Sequence, residues 1–174
     1  ERRAWEIMDA AGRHDDLVSI NPTGTLGPLL DDDPGTSAAL VSRLLDGSVP
    51  ALPKLNMSIV DVRDVAAAHV LAMTTPNAGG HRFPLAERNL SFMDAANLLR
   101  PLYPKHRIPR FTLPDWAVRL YGRFDSDMGG VAAELGTRKL IDSTDAIALL
   151  GRPLIPVPDA IAATASSLVE HQLV

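Results

Sequence analysis

Five histidines, a run of three aspartates, two more aspartates three positions apart and two tyrosines carry most of the chemical reach of this sequence. His14, His69, His81, His106 and His171 lie far apart, and none forms an H-x-x-x-H or H-x-H pair. The spacing that would hold a zinc ion is therefore absent. His69 sits among alanines in a helical segment and reads as a packed histidine. Asp31, Asp32 and Asp33 stand beside Pro34 and read as a solvated, self-repelling loop. Asp61 and Asp64 precede and open a helical pattern, which assigns them to its N-terminus, with Asp64 in the capping-box position. Neither G-x-S-x-G nor G-x-x-x-x-G-K-[ST] occurs. The segment Gly24-Thr25-Leu26-Gly27 has two glycines, but Pro28 follows at once. It does not match the strand–glycine turn–helix that seats a pyrophosphate. Residue by residue, no complete active site is present.

The stretch that stands out is INPTGTLGPLL, residues 20–30. An apolar run, Leu17-Val18-Ser19-Ile20, leaves through Asn21-Pro22 into two glycines and a second proline. Proline fixes φ near −65° and removes a donor, while glycine opens angles closed to other residues. Together at a strand exit they imply a backbone that must hold one shape.

The elements that would position these groups follow from periodicity. Ala4, Ile7, Met8 and Ala11 fall at i, i+3, i+4, i+7 and predict a first helix ending near Gly12. Nothing caps it, so the expectation is that residues upstream are missing. Residues 17–20 predict a short buried strand, and 37–46 a helix closed by Gly47. Residues 49–56 carry two prolines and read as loop or edge. Residues 57–62 have strand composition and run into a helix whose face carries Val65, Ala68, Ala72 and Met73. A turn and short strand follow at 77–86. Ser91 then caps a helix stopped by Pro101. Further helices are expected at 116–123, at 143–150 ended by Gly151, and from Pro158-Asp159 to the C-terminus. Strands alternate with helices early and helices dominate later, which is α/β order.

Bulk properties narrow the function. The chain has 174 residues, 46% hydrophobic and 22% charged, enough for a packed core. Its net charge of −4 opposes a nucleic-acid surface. The one short basic cluster, Lys105-His106-Arg107 with Arg110, is interrupted by Pro109 and reads as loop. Cysteine is absent, which removes disulfides, thiolate metal sites and a cysteine nucleophile. No apolar run approaches the ~18–20 residues of a membrane span. A cytoplasmic location without membrane or nucleic-acid partners is the expectation.

In their order and spacing, ERRAWEIM, LVSINPTGTLGPLL, SIVDVRDVAAAHVLAM, GGHRF, LRPLYP and STDAIALLG resemble one family. The chain resembles the C-terminal half of an extended short-chain dehydrogenase/reductase of the NAD-dependent epimerase/dehydratase superfamily, in the dihydroflavonol-4-reductase-like branch. The resemblance covers nearly the whole chain. It implies the C-terminal part of a Rossmann-type parallel sheet plus a small helix-rich substrate-binding lobe. The last Rossmann strands would lie in 1–30 and 57–86, and the lobe mainly in 31–56 and 87–174. It also implies an NAD(P)-dependent oxidoreductase that reduces a small aldehyde or ketone. NADP or NAD would be held mainly by an N-terminal half not in this sequence.

Pro22 and Thr23 would then line the nicotinamide side, Ser37 would contact the cofactor near the substrate mouth, and Leu26 and Leu29 would face the substrate. The family's Tyr-x-x-x-Lys pair is not here: Tyr103 and Tyr121 are the only tyrosines, and neither has lysine four residues on. No catalytic residue is assigned to this chain, which alone is expected to be inactive. Two other readings stay open: a nucleotide-sugar epimerase or dehydratase, and a non-enzymatic truncated or cofactor-sensing module. Half of a parallel sheet leaves an open edge and an apolar face. The chain by itself is therefore expected to associate, a homodimer being one outcome.

Overall fold

A computed structural model describes residues 1–121 and 135–174. The chain begins with α1 (Arg2–Ala10), passes a short 3-10 turn at His14–Asp16, and enters β1 (Ser19–Pro22) and β2 (Gly24–Leu26). Then come α2 (Gly35–Leu45), β3 (Asn56–Asp61), α3 (Val62–Thr74), β4 (Arg82–Leu85), β5 (Arg88–Ser91) and α4 (Phe92–Leu102). α5 (Asp115–Tyr121), α6 (Thr144–Leu150) and α7 (Val157–Glu170) complete the order. Arg123, the expected end of the helix at 116–123, lies outside the described residues.

The constrained exit is not a loop throughout. One extended stretch pairs with two different partners in turn. β1 runs parallel to β4, with Ser19 opposite Arg82 and Pro22 opposite Leu85. After Thr23 the chain leaves β4, and β2 runs parallel to β3, with Gly24 opposite Ile59. β3 also pairs antiparallel with β5, Asn56 facing Ser91. The strand expected at 17–20 is thus displaced to Ser19–Pro22, and β2 and β5 were not foreseen. Gly24 permits the switch because a Cβ there would lie 2.8 Å from Met57 Sδ across the pair.

Local signals explain the helix ends. Asp61 is the N-cap of α3 and accepts the Arg63 N–H at 2.8 Å. Ser91 and Asp94 form a reciprocal capping box on α4. Pro101 does not stop α4 but sits in its last turn, and the helix closes one residue later. The proline withholds only one donor at a place where the helix is ending. Gly151, at φ +64°, ends α6 in the left-handed region.

Two apolar clusters hold the elements together. The larger gathers Leu26, Val41, Leu44, Leu99, Ile161 and Leu168, from β2, α2, α4 and α7. The smaller packs Val60, Ala68, Phe83, Leu85, Ala146 and Leu154 between α3, α6 and the strands. One expected apolar face, that of α1, points outward, and the face expected on α3 is buried at Ala68 but leaves its last residue out. α1 buries no residue, its Ile7 being 53% exposed, and Met73 of α3 is 86% exposed.

Candidate functional site

Ligands of parallel α/β sheets bind beyond the carboxyl ends of the strands, where neighbouring strands part company. In this chain that place is the fork after Pro22 and Leu85. Thr23 stands in the fork: its N–H and its hydroxyl both donate to Leu85 O, at 3.1 and 3.0 Å. On the other branch the Glu87 N–H donates to Ile59 O at 2.8 Å, tying the β4–β5 turn to β3. Between the branches lies a cleft of about 200 Å³ lined by Thr23, Ser58, Asn89 and Lys139 among others. A second, of about 320 Å³, shares Ser58, Asn89 and Lys139 with it and extends past Ala86, Glu87 and Arg88.

The cleft wall is a short polar relay. Asn89 Nδ2 donates to Ser58 Oγ at 3.1 Å, and the Ser58 hydroxyl donates to Lys139 O at 2.9 Å. Asn56 Nδ2 likewise donates to Thr137 O at 3.1 Å. Residues 56 and 58 point to one side of β3 because strand side chains alternate. Together they fasten the extended segment 137–139 along the cleft. Asn89 Oδ1 is left buried in this wall with no hydrogen-bond partner. Glu87 is shared, accepting from Arg88 Nε at 2.8 Å and from the Val157 N–H at the start of α7 at 3.0 Å. That hydrogen bond to Glu87 raises the Arg88 guanidinium above its already high ordinary value.

The two aspartates of VDVRDVA are fully buried and do different things. Asp61 caps α3 and is gripped by Arg63, whose Nε and Nη2 lie 2.8 and 2.7 Å from its two oxygens. Asp64 is not a capping-box partner. It turns inward, accepts the Ile155 N–H at 2.7 Å and meets Arg152 Nη1 at 2.7 Å. A carboxylate buried this deeply must find charge and donors, and the segment before α7 supplies both. At the other end of β1, Glu1 accepts from Arg82 Nε at 2.5 Å and from Asn21 Nδ2 at 3.0 Å.

The residues singled out from sequence are not all at the fork. Pro22 ends β1 with its side chain exposed, and Thr23 lines the cleft. Ser37 lies in the first turn of α2, half-buried. Leu26 is 2% exposed within the larger core, with Leu29 packed against that core from the surface side. Ser58 and Asn89 were not anticipated. The signal available was Asn56 and Ser58 alternating with Met57 and Ile59, a polar face on a strand otherwise apolar.

The donor set can be tested against the nicotinamide that the resemblance implies. The N–H and O–H of Thr23 are committed to Leu85 O. Besides the donors of Asn56, Asn89 and Lys139, the cleft lining carries acceptors: the lone pairs of Thr23 Oγ1 and the buried, unpaired Asn89 Oδ1. Acceptors suit the NH2 of a carboxamide, so these residues fit the group.

No family model matches the chain. Among curated proteins it is similar to cinnamoyl-CoA reductase CAD2 of Medicago truncatula, 37% identical over 109 residues, which are 63% of this chain and 32% of that protein. It is also similar to tetraketide alpha-pyrone reductase 2 of Arabidopsis thaliana, 34% identical over 106 residues, 61% of this chain and 32% of that protein. Among solved structures, the yeast methylglyoxal/isovaleraldehyde reductase Gre2 complexed with NADPH superimposes with a TM-score of 0.72. That match is at 24% identity and covers 99% of this chain and 53% of the other. The match spans about a third of the curated relatives and about half of the solved structure. Over the matched residues the chain is homologous to the cinnamoyl-CoA and tetraketide pyrone reductases, and its fold matches the C-terminal portion of Rossmann-type short-chain dehydrogenase/reductase structures.

Proposed function

We propose that this chain supplies the nicotinamide-side loop and the substrate lobe of an NAD(P)-dependent reductase acting on a small aldehyde or ketone. The observation that carries this is the fork: two parallel strands end side by side at a cleft lined by Thr23, Ser58 and Asn89, with an unpaired acceptor, Asn89 Oδ1, buried in its wall. Pro22 and Thr23 would border the nicotinamide. Ser37 would contact the cofactor near the substrate mouth, Leu29 would stand on the substrate side, and Leu26, packed behind it, would set its depth. When bound, the cofactor supplies the hydride. This chain's residues bind and orient: Thr23 Oγ1 accepts from the carboxamide, and the relay through Ser58 keeps segment 137–139 along the opening. The proton donor is expected from a Tyr-x-x-x-Lys pair that these 174 residues do not contain. The chain alone should therefore show no turnover.

The test is an assay of the full-length protein with NADPH or NADH against a panel of small aldehydes and ketones. Cofactor oxidation that depends on the carbonyl compound is expected. Absence of both turnover and cofactor binding would overturn the proposal, and so would tight binding of a nucleotide sugar in place of a carbonyl substrate.

A further inference from the structure

The backbone just past the ends of β2 and β4 is fastened by hydroxyl groups from far along the sequence. Thr164 of α7 is fully buried, and its Oγ1 accepts the Gly27 N–H at 2.7 Å. The same hydroxyl lies 3.0 Å from Gly27 O and 3.0 Å from Ala160 O, so its one hydrogen serves either carbonyl. One turn on, Ser167 Oγ accepts the Leu29 N–H at 3.1 Å, and at the end of the helix His171 Nδ1 meets Asp32 Oδ1 at 2.6 Å. Positions 164, 167 and 171 share one face of a helix. They fall in order on residues 27, 29 and 32 of the exit segment.

Ser143 does the equivalent at the second strand end. It occupies the N-cap position of α6, yet its hydroxyl makes no cap bond. Instead its Oγ accepts the Ala86 N–H and reaches Ala86 O, both at 2.9 Å. Each of these two hydroxyls thus brackets the N–H and the carbonyl of a single residue just past a strand end. Burying a hydroxyl in an apolar core is unfavourable unless it is bonded. Thr164 and Ser167 are the polar members of the otherwise apolar buried face of α7. Besides filling space there, they fix the position of the backbone at Gly27 and Leu29.

We infer that Thr164 and Ser143 are positioning residues for substrate binding: Thr164 fixes the 27–29 backbone, which carries the Leu29 assigned above to the substrate side, and Ser143 fixes Ala86 in the wall of the wider cleft. This rests on the function proposed above. Neither touches the reacting atoms, so their loss should weaken substrate placement more than it alters the chemical step.

The experiment compares T164V, T164S, S143A, S167A and the control S166A in the full-length protein, with NADPH and a small aldehyde. For T164V the KM of the aldehyde should rise about tenfold, with kcat and the KM of NADPH within about twofold of the parent. T164S keeps the hydroxyl and should restore the parent value. S143A and S167A should shift in the same direction, and S166A, exposed and facing Glu170, should not. Unchanged KM in T164V, or equal impairment in T164S, would overturn the inference. If T164V does not fold, S143A and S167A decide by the same criterion. Hydrogen exchange gives a readout independent of turnover: the Gly27 amide should lose protection in T164V while amides of β3 keep theirs. Retained Gly27 protection would overturn the clamp itself. Lost protection in a protein that reduces no carbonyl compound would overturn the functional reading, and with it the role in the substrate cleft.

Discussion

At the scale of single residues, Thr23 and Glu1 make distinct and separable predictions. Thr23 commits two donors to one carbonyl and lines the cleft. T23V keeps the shape and removes the hydroxyl. It should lower kcat/KM for a small aldehyde about tenfold, with T23S close to the parent, because a hydroxyl bond is worth ~1 kcal/mol and its loss leaves Leu85 O held by the residue 23 N–H alone. Glu1 is an electrostatic case. Its hydrogen bond to Arg82 holds the Glu1 carboxyl down at about 2, against 4.5 for an unperturbed glutamate. The folded value is the lower one, so the pair contributes fully above pH 4.5 and its contribution is lost as pH falls from 4.5 toward 2. A carbon-detected NMR titration should find the Glu1 midpoint near 2, and R82Q should return it to the ordinary carboxylate range. Of these two residues only Thr23 was legible beforehand, as part of a Pro/Gly stretch. The partner of Glu1 is 81 residues away, and nothing near position 1 points to it.

At the scale of elements, the glycines of the exit segment have packing reasons as well as conformational ones. A Cβ on Gly27 would stand 2.7 Å from Val62 Cγ1, at a φ of +143° that other residues avoid. A Cβ on Gly24 would meet the Met57 thioether at 2.8 Å, which can swing aside, and Ser58 O at 3.1 Å, which need give only a few tenths of an ångström. G27A should therefore cost about 2 kcal/mol or more, and G24A about 1 kcal/mol or less. Urea unfolding of both variants checks the order, and a G24A as costly as G27A would contradict it. This part of the fold was half legible. The composition of residues 20–30 pointed to a fixed backbone, but not to a strand that changes partners. That change depends on β3 and β4 arriving on opposite sides of Thr23, which residues 20–30 do not encode. The caps were read well where they are local, as at Ser91 with Asp94. Asp64 was misread because its partners, Arg152 and the Ile155 N–H, lie beyond any local window.

At the scale of the whole molecule, the described surfaces keep several apolar faces uncovered. Val70 and Met73 project from α3, the apolar stripe of α1 is unburied, and among the described residues β1 pairs on one side only. Exposed apolar area beside an unpaired strand edge favours association. The 174-residue polypeptide by itself should therefore sediment as a dimer or larger species at high concentration. A monomer under those conditions would contradict this.

The sequence by itself determined the helices and three of the strands to within a few residues, and which reductases the chain resembles; β2 and β5 were not legible in it. Those properties depend on periodicity, caps and short motifs that act within a few residues. Only the tertiary structure decided what the chemical groups do. It set the switch of partner at Thr23, the inward turn of Asp64, and the clamps of Ser143 on Ala86 and Thr164 on Gly27. The last of these joins residues 137 apart in sequence. A buried hydroxyl or carboxylate takes whatever donor or acceptor the packed core brings within 3 Å or so of it. That neighbour is fixed when the helices close over the strands, and no local pattern specifies it.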